Sequence, residues 1–252
     1  MRELYVLHSL PLHRFNESIV LPSGDIERIQ AMGEPPMHLA RHAVLRREGE
    51  SPRYIYLLLD GWVASSVLLP GGDRQITKFH LPGDLLGTPS MCLERTADTL
   101  TALTPASVSR VSLTAFGDLF QRSPHFAAAM LLSIQRERVA LMDRLAAVGR
   151  TPALARVAAL LLDVTERLGA LGGGEVSEFE LPVTQEQIGD HLGLTAVHVN
   201  RIFRQLVDTG LIARHRQRVT LLDRVRLKSI SGRQERLPAQ DVSWLVGGQA
   251  GA

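Results

Sequence analysis

At 252 residues the chain suits one large domain or two modest ones and is long enough to bury a real core. Its 45% hydrophobic and 21% charged residues are those of an ordinary globular protein, and a formal net charge of +2 says little about partners. The single cysteine, Cys92, excludes an intrachain disulfide and a cysteine-held zinc or iron–sulfur centre. No stretch approaches 18 uncharged apolar residues, and the opening MRELYVLHSLPLHRF lacks the core and cleavage site of a signal peptide. A cytoplasmic chain without a membrane span is expected.

Residues 1–30 carry little pattern beyond Asp25-Ile-Glu-Arg-Ile-Gln, which can start a short helix. From about Ala43 to Ser112 short apolar runs alternate with turn signals. The runs are Tyr54–Leu59, Trp62–Leu69, Gln75–Leu81, Thr99–Leu103 and Ser107–Leu113. Between them lie Glu48-Gly-Glu, Asp60-Gly, Pro70-Gly-Gly-Asp and Pro82-Gly-Asp. Many short strands at near-regular spacing predict a β-sandwich or barrel. Pro70–Asp73 is a good hairpin turn, because glycine takes the positive φ such turns need.

From Pro124 to Val148 the period becomes helical. Leu131, Ile134, Arg138, Leu141, Leu145 and Val148 follow a 3-4-3-4-3 spacing and share one seam. That seam predicts a dimer interface; an amphipathic helix packed on its own barrel is the alternative, and Arg138 interrupts the apolar run. Thr151 is expected to cap the next helix with Pro152 at its first position. That helix carries an apolar face of Val157, Leu160, Leu161, Val164 and Leu168 and ends at Gly172-Gly-Gly. The glycines lack the Lys-Ser/Thr of a phosphate loop and read as a connection.

The most informative segment is LPVTQEQIGDHLGLTAVHVNRIFRQLVDTGLI, residues 181–212. Thr184 and Gln187 form a capping-box pattern, so a helix starts there. Ile188 and Leu192 lie on its buried face, and Gly193 supplies a left-handed residue for a tight turn. Thr195 caps a second helix, Ala196 to about Asp208, with an apolar face of Val199, Ile202, Phe203 and Leu206. Two short helices joined this way form a helix-turn-helix, whose second helix enters a DNA major groove N-terminus first. The side chains projecting there are Ala196, Val197, His198, Asn200 and Arg201, with Arg204 one turn on. Arginine can grip guanine and asparagine adenine in bidentate bonds, and Val197 can offer a thymine methyl an apolar contact. Thr184, Gln185 and Thr195 sit at helix starts, where free N–H groups and short polar side chains suit phosphates.

ARHRQRVTLL follows as a β-hairpin wing, with His215, Arg216 and Arg218 placed for the phosphate backbone, and Asp223 caps a last short helix. From Val197 to Arg236 ten basic residues face three acidic ones, a local excess of about seven that points to a polyanion. Two ordinary packed helices in a helical domain are the bland alternative.

The layout from about residue 25 to 232 resembles the cyclic-AMP receptor protein/fumarate-and-nitrate-reduction regulator (Crp/Fnr) family. The resemblance rests on Arg47-Glu-Gly-Glu, Leu59-Asp-Gly-Trp-Val, Leu81-Pro-Gly-Asp-Leu-Leu-Gly and Thr184–Ile212, most specifically Gly193-Leu-Thr-Ala-Val-His-Val-Asn-Arg. It implies an α+β fold: an N-terminal cyclic-nucleotide-binding-type β-roll sensor over 1–123, a dimerisation helix over 124–150 and a winged helix-turn-helix over 151–236. A mobile tail over 237–252 completes the expected layout. The resemblance also implies a homodimer on double-stranded DNA, half-sites on the order of 10 bp apart, and RNA polymerase as a partner if the protein activates. The effector pocket would fall near Gly87, Thr88, Arg95 and Thr96. Cyclic-AMP binders of the family carry Gly-Glu-Leu and then Arg-Ser/Thr there. This chain has Gly87-Thr88-Pro89, no acidic ribose partner and Arg95 out of register, so cyclic AMP is not expected and no cofactor is implied. Val197 and Asn200 also depart from the family's usual reader, whereas Arg201 is kept.

The nine histidines include His38 and His42 four apart, with no third ligand at a convincing spacing, so no metal site is expected. Cys92 is expected to be a small buried apolar residue rather than a redox switch. No nucleophile–base arrangement asks for an enzyme. Two other readings stay open: a small-molecule-binding or cupin-like β-roll protein whose C-terminal domain mediates protein contacts, and a constitutive DNA binder with a vestigial roll.

Overall fold

A computed structural model describes residues 19–234, 236 and 241–245. Helix α1 (Ser23–Met32) opens the chain where Asp25-Ile-Glu-Arg-Ile-Gln suggests one. Eight strands follow: β1 (Met37–Leu39), β2 (Val44–Arg46), β3 (Tyr54–Asp60), β4 (Val63–Leu68), β5 (Arg74–His80), β6 (Leu85–Leu86), β7 (Thr99–Ala102) and β8 (Ala106–Ser112). They form two antiparallel four-stranded sheets, ordered β1-β8-β3-β6 and β2-β7-β4-β5. The five longer strands match the apolar runs to within a residue or two. β1, β2 and β6 span only two or three residues each and have no alternation to read.

The inner faces of the two sheets enclose Tyr56, Leu58, Val63, Leu86, Leu100, Ala102, Ala106 and Val108. Arg46 is buried with them, only 4% exposed, and pairs with Asp98 and Ser90. A buried charge is tolerated only when paired in this way.

Ser112 caps helix α2 (Leu113–Arg122) by accepting from the Ala115 N–H at 3.1 Å. Ser123 does the same for Phe126 at 3.0 Å, and Pro124 opens helix α3 (Pro124–Arg150). The first turns of α3 bury Phe126, Ala128, Ala129 and Met130 against the core shared with α1 and α2. Beyond Met130 the helix leaves that core, and Leu131, Ile134, Arg138, Leu141, Leu145 and Val148 are all exposed.

Helix α4 (Ala153–Gly172) does not start on a Thr151 cap as expected. The Thr151 N–H closes α3 instead by donating to the Ala147 carbonyl, and Pro152 takes the N-cap position with no side-chain bond. Helices α5 (Gln185–Leu192), α6 (Ala196–Asp208) and α7 (Arg224–Ser231) surround α4, and a three-stranded sheet closes the domain. Its order is β10 (Ile212–His215), β11 (Arg218–Leu221), β9 (Glu178–Glu180). The third strand, β9, escaped the sequence reading because the alternation of Glu-Phe-Glu, over three residues, is too short to stand out.

One continuous core runs from Ile76, Phe79 and Leu81 of the roll into Leu161, Ile188, Leu192, Val199 and Phe203 of the helical part. Part of the expected tail is described. A 3-10 turn at Ser243–Leu245 lays Val242 and Leu245 against the core beside α1 and α3, because both are apolar, while Trp244 stays 73% exposed. Residues 237–240 and 246–252 lie outside the described residues, as do 1–18. Among the described residues no helix is long and apolar enough to cross a membrane.

Candidate nucleic-acid interface

The capping box is closed in both directions. Thr184 Oγ1 accepts from the Gln187 N–H at 3.1 Å, and Gln187 Oε1 accepts from the Thr184 N–H at 2.9 Å. Gly193 then turns the chain at φ 66°, a region that favours glycine. A second glycine was missed by the sequence reading. At Gly189 a Cβ would run into the Leu194 carbonyl oxygen, so the corner closes only on a residue without one. The signal was the Gly189-to-Leu194 spacing itself, since the Leu194 N–H bonds back to the Gly189 carbonyl at 3.0 Å.

Thr195 Oγ1 accepts from the His198 N–H at 3.2 Å and starts α6. Val199, Ile202, Phe203 and Leu206 face the core, which turns the opposite side of the helix outward. On that side Val197 is 81% exposed, and Asn200, Arg201 and Arg204 are exposed too. Ala196 and His198 are half-buried beside them. Gln185 from α5 donates to Asn200 Oδ1 at 3.1 Å, which joins the two helices at the outer face.

The wing pairs β10 with β11 in register from Ile212↔Leu221 to His215↔Arg218, leaving Arg216-Gln217 as the turn. Arg216 takes φ 56°, an uncommon conformation for a residue with a side chain. His215, Arg216 and Arg218 are exposed. Arg218 lies 3.5 Å from Glu178, and Arg214 stacks on the Phe203 ring at 4.3 Å, tying the wing to the back of α6.

The local excess of seven positive charges overstates what faces outward beside the helix-turn-helix. Arg224 reaches Glu175 at 3.3 Å and Arg233 reaches Glu166 at 3.0 Å. Arg236 forks onto Asp143 of α3, whose carboxyl it holds below the usual range. Unpaired sequence counting cannot see those partners.

The expected effector residues do not converge. Gly87 and Thr88 border the groove along α3, and the Arg46 guanidinium lies so close to Gly87 that a side chain there would strike it. Thr96 is buried elsewhere, with its hydroxyl donating to the Arg47 carbonyl at 2.6 Å and accepting from the Glu50 N–H at 3.1 Å. Arg95 bonds the Gly49 carbonyl on the surface at 3.3 Å. Both serve the Arg47–Glu50 turn. Cys92 is exposed rather than buried, because it ends a short 3-10 turn (Thr88–Cys92) whose inward residue is Ser90. No group of three or more His, Cys, Asp or Glu gathers for a metal among the described residues.

The family models agree with this geometry in sequence order. Residues 36–123 match the cyclic nucleotide-binding domain, and residues 155–230 match the Crp-like helix-turn-helix domain. The nitrogen fixation regulation protein FixK of Bradyrhizobium diazoefficiens is 31% identical over 212 residues, 84% of this chain and 87% of that protein. The chain belongs to the Crp/Fnr family of transcriptional regulators. Within that family, the transcriptional regulatory protein btr of Bordetella pertussis is 28% identical over 85% of this chain and 88% of its own. The structure of FixK2 from Bradyrhizobium japonicum superposes with a TM-score of 0.72 at 27% identity, over 80% of this chain and 98% of that one. A more distant likeness, in fold alone, is to the c-di-GMP responsive regulator CLP of Xanthomonas campestris. It has a TM-score of 0.64 at 16% identity over 80% of this chain and all of that one. As a Crp/Fnr regulator the chain carries a DNA-binding helix-turn-helix, and the cupin-like alternative finds no support among these relatives.

Proposed function

We propose that this Crp/Fnr regulator works as a homodimer that reads an inverted repeat in duplex DNA. Arg201 and Asn200 contact base edges, Val197 meets a thymine methyl, and Arg204 with His198 flanks them. Thr184, Gln185, Thr195 and Ala196 seat the helix starts on phosphates, and His215, Arg216 and Arg218 hold the backbone through the wing. The carrying observation is that the polar outer side of α6 is exposed beside an exposed basic wing, while the seam of α3 presents Leu131, Ile134, Leu141, Leu145 and Val148 to solvent. Leu145 is 77% exposed, and a row of such leucines on one helix is what a second copy of the same helix covers. Arg138 lies in the same row and would face its surroundings at the dimer seam.

The protein acts as a DNA-binding regulator in the cytoplasm, without catalysis, and RNA polymerase is its further partner if it activates. The β-roll does not read cyclic AMP, because the Arg46 guanidinium, paired with Asp98, crowds Gly87, and Gly87-Thr88-Pro89 lacks the glutamate that the family's cyclic-AMP binders carry there. Sedimentation of the purified protein tests the dimer. Wild type is expected to run at twice the chain mass, and Leu141→Asp with Leu145→Asp as a monomer that loses affinity for the full repeat; a wild-type monomer overturns the reading.

A further inference from the structure

The last four carbonyls of an α-helix have no partner inside it. In α5, the first helix of the helix-turn-helix, the last four residues are Gly189, Asp190, His191 and Leu192; the Gly189 carbonyl takes the Gly193 N–H at the C-cap, and all four carbonyls are accounted for. Gly189 accepts from the Leu194 N–H, and Leu192 accepts from Arg156 of α4 at 2.7 Å. The other two are taken by a residue of the β-roll: Gln75 Nε2 donates to the carbonyls of both Asp190 and His191.

Gln75 is one of six consecutive residues of β5 that hold helices outside the roll. Arg74 closes its Nε and Nη2 on Asp190 Oδ2 at 2.9 and 2.6 Å. The Ile76 carbonyl accepts from His191 Nδ1 at 3.0 Å, and the Phe79 ring lies 4.7 Å from the His191 ring. Between these, the Thr77 carbonyl accepts from Arg144 of α3 at 2.6 Å, and Lys78 pairs with Glu137 of α3. One strand of the sensor therefore holds the first DNA-binding helix and the long helix together.

We infer that β5 is a positioning clamp: through Arg74, Gln75 and Ile76 it fixes α5, and hence the recognition helix α6, at a set angle to α3. The inference rests on the DNA-reading function proposed above. The clamp grips the C-terminal end of α5, whereas Val197, Asn200 and Arg201 remain exposed, so the grip and the reading face are separate. Without it, only the shared apolar core, the Arg167–Asp84 pair at 2.6 Å and the covalent joint at 151–152 would hold the angle, and two recognition helices would pay more to order on their half-sites. The exposed Arg74–Asp190 pair is weak alone; the Gln75 bonds, which serve helix-end carbonyls that no other described residue bonds, carry more of the hold.

The test uses the full-length protein, its selected palindrome and random duplex, with Gln75→Ala, Arg74→Asp, Asp190→Arg and the double charge swap. The single variants are expected to lose roughly three- to tenfold in palindrome affinity, with binding to random duplex unchanged. Tryptic cleavage after the exposed Arg150 is expected to speed up alongside. The double swap restores both readouts, which a general loss of folding would not do. Unchanged palindrome affinity and unchanged cleavage in Gln75→Ala and Arg74→Asp overturn the clamp. If wild type selects no palindrome, the DNA reading fails by itself, and the cleavage rates alone decide the clamp: faster supports it, unchanged overturns it.

Discussion

Gln185 and Asn200 are joined across the helix-turn-helix, the Gln185 amide donating to Asn200 Oδ1 at 3.1 Å. The bond leaves the Asn200 amide nitrogen free to donate outward while its oxygen is already engaged. The two residues should therefore act as a unit. Asn200→Ala is expected to cost about 1–3 kcal/mol at one base pair of the site. Gln185→Ala should cost less, and the double variant should cost little more than Asn200→Ala alone. A double-mutant cycle on the selected sequence measures this; fully additive losses would contradict it.

Arg201 and Arg216 should separate specificity from general attraction. Arg201→Ala is expected to cost about 1–3 kcal/mol at the specific site and to relax base choice at one position. Arg216→Ala should weaken all sequences alike and reduce the slope of log affinity against log salt by about one. Titrations over a salt series compare the two.

Gly189 sets the corner between the helices. Gly189→Val would drive its side chain into the Leu194 carbonyl, a backbone atom that cannot swing away. Overpacking of this kind costs about 1–3 kcal/mol. Urea midpoints should fall accordingly, and specific DNA binding should fall further than stability, because the angle between α5 and α6 opens.

The His191 ring gives the contact between roll and helix-turn-helix a pH dependence. Its pKa is pushed down to about 4, chiefly by loss of water around the ring, with Arg144 and Arg167 adding to the lowering and the Ile76 bond and Asp163 opposing it. The free imidazole value is about 6.5, so the unfolded chain takes up a proton before the folded one does. Stability present above about pH 6.5 is therefore lost as the pH falls towards 4, by about 2 kcal/mol at pH 5. Urea unfolding at pH 7 and pH 5 should show this loss in wild type and a smaller one in His191→Gln.

The helix-turn-helix was legible because its signals are local. Thr184 with Gln187, Gly193, Thr195 and the apolar face from Val199 to Leu206 each act within a turn or two of their own position. The longer strands were legible through alternation, which β1, β2, β6 and β9 are too short to show. Thr151 misled because a cap residue between two helices can serve either, and here its backbone closes the first. Arg95 and Thr96 misled because adjacency to a binding motif does not say which way a side chain turns. The grip of Gln75 on α5 was out of reach: it joins residues more than a hundred positions apart, and neither end carries a pattern of its own.

Selection of binding sites from random duplex DNA by the purified full-length protein, without added ligand, tests the central claim most directly. The account predicts enrichment of an inverted repeat with half-sites about 10 bp apart, weakened at one position by Arg201→Ala. Recovery of only salt-sensitive background binding, with no sequence enriched, would contradict it.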